Sequence, residues 1–225
     1  MKYKKSIVWL RRDLRLKDNH ALSIASQESE EITLIFIFDS NILQKLKNNK
    51  DRRISFIIDS LIDLQDQLKQ HQTNIKIYYG DPKAIILDLS KEYDAIFLNK
   101  DYDPYSRSRD AFLRKKIKNF NEFKDHVIFE EKDILKNNKI IIDYKNYRAE
   151  WIKNFNLQKE YSFNGNYVKI NESFNRDSLS KLIKFNYVVN EIKGGETISL
   201  EKLAIFKNKI NNYEKNRDNV YKNGT

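Results

Sequence analysis

Between Val8 and Leu22 the chain reads VWLRRDLRLKDNHAL: an apolar run opens directly into Arg11, Arg12, Asp13 and Arg15. Guanidiniums present a fixed fork of N–H donors, and a carboxylate supplies acceptors. Comparable polar sets follow the next apolar runs. They are Asp39-Ser40, Gly80-Asp81, and Asn99-Lys100-Asp101-Tyr102-Asp103. A rim carrying both signs of charge suits a ligand with carbonyl and amide edges, or an interface to a second domain. Other chemistries find little support. No G-x-G-x-x-G follows the first run and no G-x-x-x-x-G-K-[ST] occurs, so a dinucleotide held by a glycine loop is not expected. His20, His71 and His126 are scattered, and no metal site is expected. No carboxylate pair stands out for acid–base work, and no nucleophile elbow is present. The residues indicate a binding domain with no catalytic centre.

The elements that must position this rim are legible as strand-length apolar runs at 6–10, 32–39, 75–80, 94–99 and 126–131. Several are apolar without alternation, as in a sheet covered on both faces. Helical spacing lies between them. Ile54, Ile57, Ile58, Leu61, Leu64 and Leu68 keep one stripe; Ala84 and Leu87, then Phe112, Lys116 and Phe120, mark two others. Asp81-Pro82 and Asp103-Pro104 each read as an N-cap followed by proline in the first turn. The alternation predicts an α/β fold: a Rossmann-like, doubly wound, five-stranded parallel sheet over residues 1–131, with helices on both faces. In such sheets ligands lie outside the carboxyl ends of the strands, where the polar sets fall. Residues 132–198 read as a connecting segment, with KIIIDYKNY as a strand or hairpin arm and YRAEWIKNF as a short helix. Residues 199–225 restore helical spacing at Leu200, Leu203, Phe206, Ile210 and Tyr213, a stripe expected to be exposed.

Composition narrows the class. With 225 residues the chain can bury one sizeable core. It has no cysteine, which rules out disulfides and thiol nucleophiles and is compatible with a reducing cytoplasm. The start MKYKKSIVWL is too short in apolar residues for a signal peptide, and no run approaches the length of a membrane span. The net charge of +10 is that of a protein that attracts nucleic acid, or of a lysine-rich coding bias; only 11 of the 42 basic residues are arginine.

VWLRRDLRLKDNHAL resembles the opening signature of the DNA photolyase and cryptochrome family. GDPKAIILDL resembles the family's third-strand exit and next helix, and LNKDYDPYSRSRD its fourth-strand exit, with Asn99, Asp101, Pro104, Tyr105, Arg109 and Asp110 in pattern. GGETISLEKLAIFKNKINNYEKNRDNVYKNGT resembles the junction into the family's helical domain. The resemblance implies an antenna domain at 1–131, an interdomain linker at 132–198 and, at 199–225, the first helix of a truncated FAD-binding domain. Intact members split pyrimidine dimers in DNA with light-excited FAD, or, as cryptochromes, signal light. It further implies that Arg12, Arg53 and Asp101 stand where deazaflavin-type relatives contact their antenna chromophore, with Phe38 and Asp39 at the same pocket. Folate-type relatives carry an Asn-Glu pair where this chain has Tyr105-Ser106, which favours a deazaflavin-like or flavin-like antenna over folate. Arg11 is expected to face the helical domain, and Tyr213 and Thr225 match positions that touch the FAD phosphates. The expected activity of this chain alone is chromophore binding without repair. A stand-alone small-molecule module is the alternative outside light chemistry. The implied partners are a complementary FAD-domain polypeptide and, weakly, DNA.

Overall fold

The computed structural model describes residues 1–136, 138–156, 161, 166–219 and 221. In chain order the elements begin with β1 (Tyr3–Leu10), α1 (His20–Glu28), β2 (Ser29–Asp39), α2 (Ser40–Leu43) and α3 (Arg52–Leu68). Next come β3 (Lys76–Gly80), α4 (Pro82–Leu89), β4 (Ala95–Asn99), α5 (Pro104–Lys116) and β5 (Phe120–Phe123). There follow β6 (Leu135–Lys136), β7 (Lys139–Ile140), α6 (Tyr144–Asn154), α7 (Arg176–Ile183), α8 (Glu196–Lys207) and α9 (Tyr213–Asn216). No helix among the described residues is long and apolar enough to cross a membrane.

The chain forms two compact units that interleave in sequence, Met1–Asp39 with Lys76–Val168, and Ser40–Ile75 with Lys169–Thr225. The first unit holds the five-stranded parallel sheet in the order β3-β2-β1-β4-β5. Val8 pairs with Leu34 on one side of β1, and Ile7 with Ile96 on the other. The chain therefore winds outward in both directions from the β1–β4 junction, the doubly wound topology expected from the alternating pattern. Alternate residues Ile7, Trp9, Ile35, Ile37, Ile96 and Leu98 fill one face and pack with Ile86 of α4 and Leu113 of α5. Val8, Leu10, Leu34 and Phe97, of opposite parity, are also buried. Both faces are dry, which is why β1, β2 and β4 read as nearly unbroken apolar runs. Asp81 and Asp103 cap α4 and α5, each followed by proline, as expected.

The fifth strand differs from expectation. HVIFEE at 126–131 is not a strand; Phe120–Phe123 takes that place, pairing with β4 from Ile96↔Phe120 to Asn99↔Phe123. Leu113 and Ile117 bury at the end of α5 and Phe120 enters the same core, so the turn into β5 comes early. Residues 126–131 follow as a loop whose Val127 and Ile128 are 37% and 38% exposed. The stripes of α4 and α5 are also shifted. Ile86 rather than Ala84 or Leu87 is fully buried, and α5 buries Ser106, Arg109, Asp110 and Leu113 while Phe112 is exposed. Of KIIIDYKNY only Lys139–Ile140 is strand, paired antiparallel with Leu135–Lys136, and its last four residues already belong to α6, which starts earlier than the expected helix.

In the second unit α3 buries Ile54, Ile58, Leu61, Leu64 and Leu68. Leu179 and Ile183 of α7 are buried as well. Asp59 of α3 accepts from Arg176 at 3.0 Å and from Tyr187 at 2.9 Å. Gly194 lies so close to α3 that a Cβ there would stand 2.1 Å from the Phe56 carbonyl oxygen, and Gly195 adopts φ +126° before α8. The expected C-terminal helix is interrupted after Lys207 by a 3-10 turn at Ile210–Asn212. No residue of α8 is buried, and Leu200, Leu203 and Ile205 are about half exposed, in line with the open stripe read from the sequence.

Candidate functional site

The strand order places the topological switch point between β1 and β4, and the polar residues after those strands converge there. Asp13, Asn19 and Asn99 form a buried network. Asp13 accepts from the Arg11 backbone N–H at 2.8 Å and from the Asn99 amide at 2.6 Å. Asn99 also donates to Asn19 at 2.8 Å and accepts from the Ala21 N–H at 2.9 Å. Asn19 caps α1 by accepting from the Leu22 N–H. One short loop thereby fixes the end of β1, the start of α1 and the end of β4. Buried polar groups that satisfy one another in this way hold a single geometry.

Above this network sits a compact charge cluster. The Arg109 guanidinium lies 4.7 Å from the Trp9 ring and 5.8 Å from the Tyr105 ring, and Arg11 lies 5.2 Å from the same Trp9 ring. Asp110 binds Arg11 at 2.6 Å and Arg109 at 2.8 Å. Tyr105 donates to Asp39 at 2.8 Å, and Arg109 approaches Asp39 at 3.9 Å. Asp101 forms an ion pair with Arg12 Nε at 3.0 Å through its outer oxygen. Its inner oxygen faces Arg11 and Arg109 at 3.6 and 3.9 Å, beyond hydrogen-bond length. Arg11 Nε and Arg109 Nη2 accordingly have no hydrogen-bond partner, although both are buried. The outward part of the cluster is Arg12, 66% exposed, with Asp103 at 3.2 Å. Partial burial pushes the Asp103 carboxyl up, but the Ser106 N–H and hydroxyl and the Arg12 charge outweigh it, leaving the group below its ordinary value. An ionised, donor-and-acceptor edge above two under-bonded guanidiniums can recognise a planar heterocycle carrying carbonyl and N–H groups. Among the described residues no cluster of His, Cys, Asp or Glu could hold a metal ion.

The sequence-predicted residues divide accordingly. Arg12 and Asp101 meet directly, and Asp39 joins them through Arg109 and Tyr105. Phe38 turns to the opposite face of its strand, 2% exposed, edge-on to Phe36 at 4.9 Å. Arg53 belongs to the second unit, where it pairs with Asp51 at 2.6 Å at the start of α3. That pair holds the Asp51 carboxyl below its ordinary value. The Arg11 side chain is 6% exposed within this chain and bonded to Asp110 and the Asn99 carbonyl. Tyr213 opens α9, 39% exposed and edge-on to Phe206 at 6.0 Å. Thr225 lies outside the described residues. Arg109, Asp110 and Tyr105 were not singled out as site residues. Their spacing on α5 was the available signal, because residues four apart share a helix face.

With this geometry in hand, comparison with known proteins is informative. A family model described as DNA photolyase matches residues 6–162, more than half of the chain. A deoxyribodipyrimidine photo-lyase from Synechococcus sp. is 32% identical over 114 residues, covering 50% of this chain and 23% of that protein. Cryptochrome-2 of Gallus gallus is 31% identical over 116 residues, 51% of this chain and 20% of that protein. A class III photolyase structure from Agrobacterium tumefaciens superposes with a TM-score of 0.80 at 22% identity, covering all of this chain and 49% of that one. An archaeal photolyase structure from Sulfolobus tokodaii, described with two FAD molecules, gives 0.71 at 24% identity over 88% of this chain and 45% of that one. The aligned region thus spans under a quarter of these curated relatives, and about half of the solved chains. The doubly wound sheet, the polar switch point and the match over residues 6–162 lead to one assignment: this chain belongs to the DNA photolyase family.

Proposed function

We propose that this chain is the chromophore-carrying N-terminal portion of a photolyase-like protein, with a flavin-like or deazaflavin-like antenna at the Arg12–Asp101 edge. The carrying observation is that edge itself. Its donor and acceptor meet at 3.0 Å at the switch point, above the unbonded Arg11 Nε and Arg109 Nη2. A flavin-type ring system, with its adjoining carbonyl and N–H groups, fits such an edge, and when bound it supplies light absorption and transfer of excitation. Arg12 and Asp101 orient the ring, and Asp39, Tyr105 and Arg109 keep the floor fixed.

Two observations weigh against folate. Tyr105 and Ser106 stand where folate-type relatives carry Asn-Glu, and both are engaged. The Tyr105 hydroxyl is on Asp39 and the Ser106 N–H is on Asp103. The second FAD of the archaeal relative, whose description speaks of a novel light-harvesting cofactor, agrees with a flavin in that role. Repair of pyrimidine dimers in DNA needs, on this reading, a helical FAD-binding portion. Tyr213 contributes to it and the exposed stripe of α8 docks on it, as a complementary polypeptide or as further chain. DNA binding by the 225 residues alone is weak and salt-dependent. The test is titration of the purified protein with FMN, read by flavin fluorescence. Arg12→Ala and Asp101→Asn should each weaken binding about tenfold, the scale of one lost charge-assisted hydrogen bond. Unchanged binding in both variants would remove the proposed edge. The cryptochrome reading rests on the nearly equal match to the avian cryptochrome. Dimer repair by the protein combined with its FAD-binding portion would decide against it.

A further inference from the structure

A cavity of about 310 Å³ opens beside α5. Lys100, Tyr102, Arg107, Arg114 and Glu122 line it together with Glu130 and Glu131 of the loop after β5. Its cations stand on firm supports. Lys100 directly follows β4, and Arg107 and Arg114, two helical turns apart, share one face of α5. Two of the three are neutralised by the loop. Glu130 accepts from Lys100 at 2.9 and 3.2 Å and from the Tyr102 hydroxyl at 2.9 Å, and Glu131 accepts from Arg107 at 2.9 Å. Glu122 of β5 pairs with Arg114. Asp101 and Asp110 also border the cavity, but Arg12, Arg11 and Arg109 match their charges at 3.0, 2.6 and 2.8 Å.

The loop itself has a mainly ionic hold. Lys124 and the Glu130 N–H both bind Asp133, at 3.0 and 2.8 Å. Its apolar anchors are Phe129 against Trp151 and the buried Ile134 at its far end. The pair with Lys100 holds the Glu130 carboxyl below its ordinary value, so it is ionised at neutral pH. Exposed pairs of this kind exchange easily.

We infer that this cavity is an anion site in which Glu130 and Glu131 act as internal stand-ins, displaced when a small phosphorylated ligand takes Lys100, Arg107 and the Tyr102 hydroxyl. The volume is at the low end of ligand sites and suits a compact polyanion. Arginine with lysine and a hydroxyl donor is a phosphate-binding set, and carboxylates already seated on them mark where the phosphoryl oxygens go.

The test uses inorganic pyrophosphate as probe, titrated calorimetrically at fixed ionic strength. Glu130→Gln/Glu131→Gln should bind it about two- to thirty-fold more tightly than the unchanged protein, because two competing surface pairs are removed. Adding Arg107→Ala to that double variant should abolish the gain. Glu28→Gln, a neutralised carboxylate elsewhere on the surface, should leave binding unchanged. No binding to the double variant would overturn the inference. So would a gain equal to that of Glu28→Gln, or a gain that survives Arg107→Ala. All four side chains are partly or fully exposed, and circular dichroism confirms that each variant is folded.

Discussion

Removal of the Asp110 carboxylate tests whether the charge cluster at the switch point is as dry as its geometry implies. Asp110 is 3% exposed and binds two guanidiniums, Arg11 and Arg109, which are 6% and 5% exposed. In Asp110→Ala, Arg109 keeps only Asp101 and Asp39, both at 3.9 Å, and Arg11 keeps the Asn99 carbonyl and Asp101 at 3.6 Å. Breaking an exposed pair costs about 0.2–1 kcal/mol. Stripping the partner from a buried charge costs about 3–5 kcal/mol, because the remaining charge stays desolvated. Both guanidiniums lie against Trp9, which is 2% exposed, so the larger regime applies. Urea unfolding followed by Trp9 fluorescence in a Trp151→Phe background reads this unit directly. With a slope of about 2 kcal/mol per molar, the midpoint should fall by about 1.5–2.5 M. Arg12→Ala, at an exposed arginine, should lower it by no more than about 0.5 M. Arg11→Met/Asp110→Leu should lose less than the two single changes together, since the apolar pair removes the orphaned Arg11 charge and leaves only Arg109 without its 2.8 Å partner. An Asp110→Ala midpoint within the range of Arg12→Ala would refute the reasoning and mean that the arginines are hydrated.

Other expectations follow from the same structure. Gly194→Ala should destabilise the second unit by several kcal/mol, read as early hydrogen exchange of α3, because the new Cβ meets the Phe56 carbonyl oxygen at 2.1 Å and Ser60 Oγ at 2.4 Å. Glu130 and Asp133 have folded pKa values below their ordinary ones, so the unfolded loop binds more protons than the folded one. Loop stability from these groups is therefore full above their ordinary values, about pH 5 and higher, and falls as pH drops through the folded values. The hydrogen-exchange protection factors of residues 124–133, taken relative to the intrinsic rate at each pH and at fixed salt, should be lower at pH 4 than at pH 6, and Glu130→Gln should blunt the difference. Asp103→Ala should cost about 1 kcal/mol by removing the cap on the Ser106 N–H.

Much of the fold is written in local pattern. The runs of β1, β2 and β4 are apolar on both parities because both faces of the sheet are covered, and Asp81 and Asp103 announce their helices by side-chain caps that need no tertiary partner. The fifth strand escaped because α5 buries Arg109 and Asp110 in place of apolar residues, which breaks the helical period and hides where the helix ends. HVIFEE has strand composition, yet Lys100, Tyr102 and Arg107 hold its glutamates in a loop, a tertiary effect no local window contains. The direction of Arg11 was readable in principle. It shares the parity of Trp9 in the strand and so points to the same covered face, where Asp110 is waiting. The Asp13–Asn19–Asn99 network joins residues up to 86 positions apart, and its acceptor counts become visible only when β1 and β4 are side by side.

The central claim, a flavin-type antenna at the Arg12–Asp101 edge, is tested most directly by equilibrium dialysis of the purified protein against FMN and against methenyltetrahydrofolate in parallel. The account predicts retained flavin at near one equivalent and little folate, with the flavin lost in an Arg12→Ala/Asp101→Asn protein that circular dichroism shows to be folded at the dialysis temperature. A protein that stays colourless in flavin, or that retains folate in preference to it, would contradict the account.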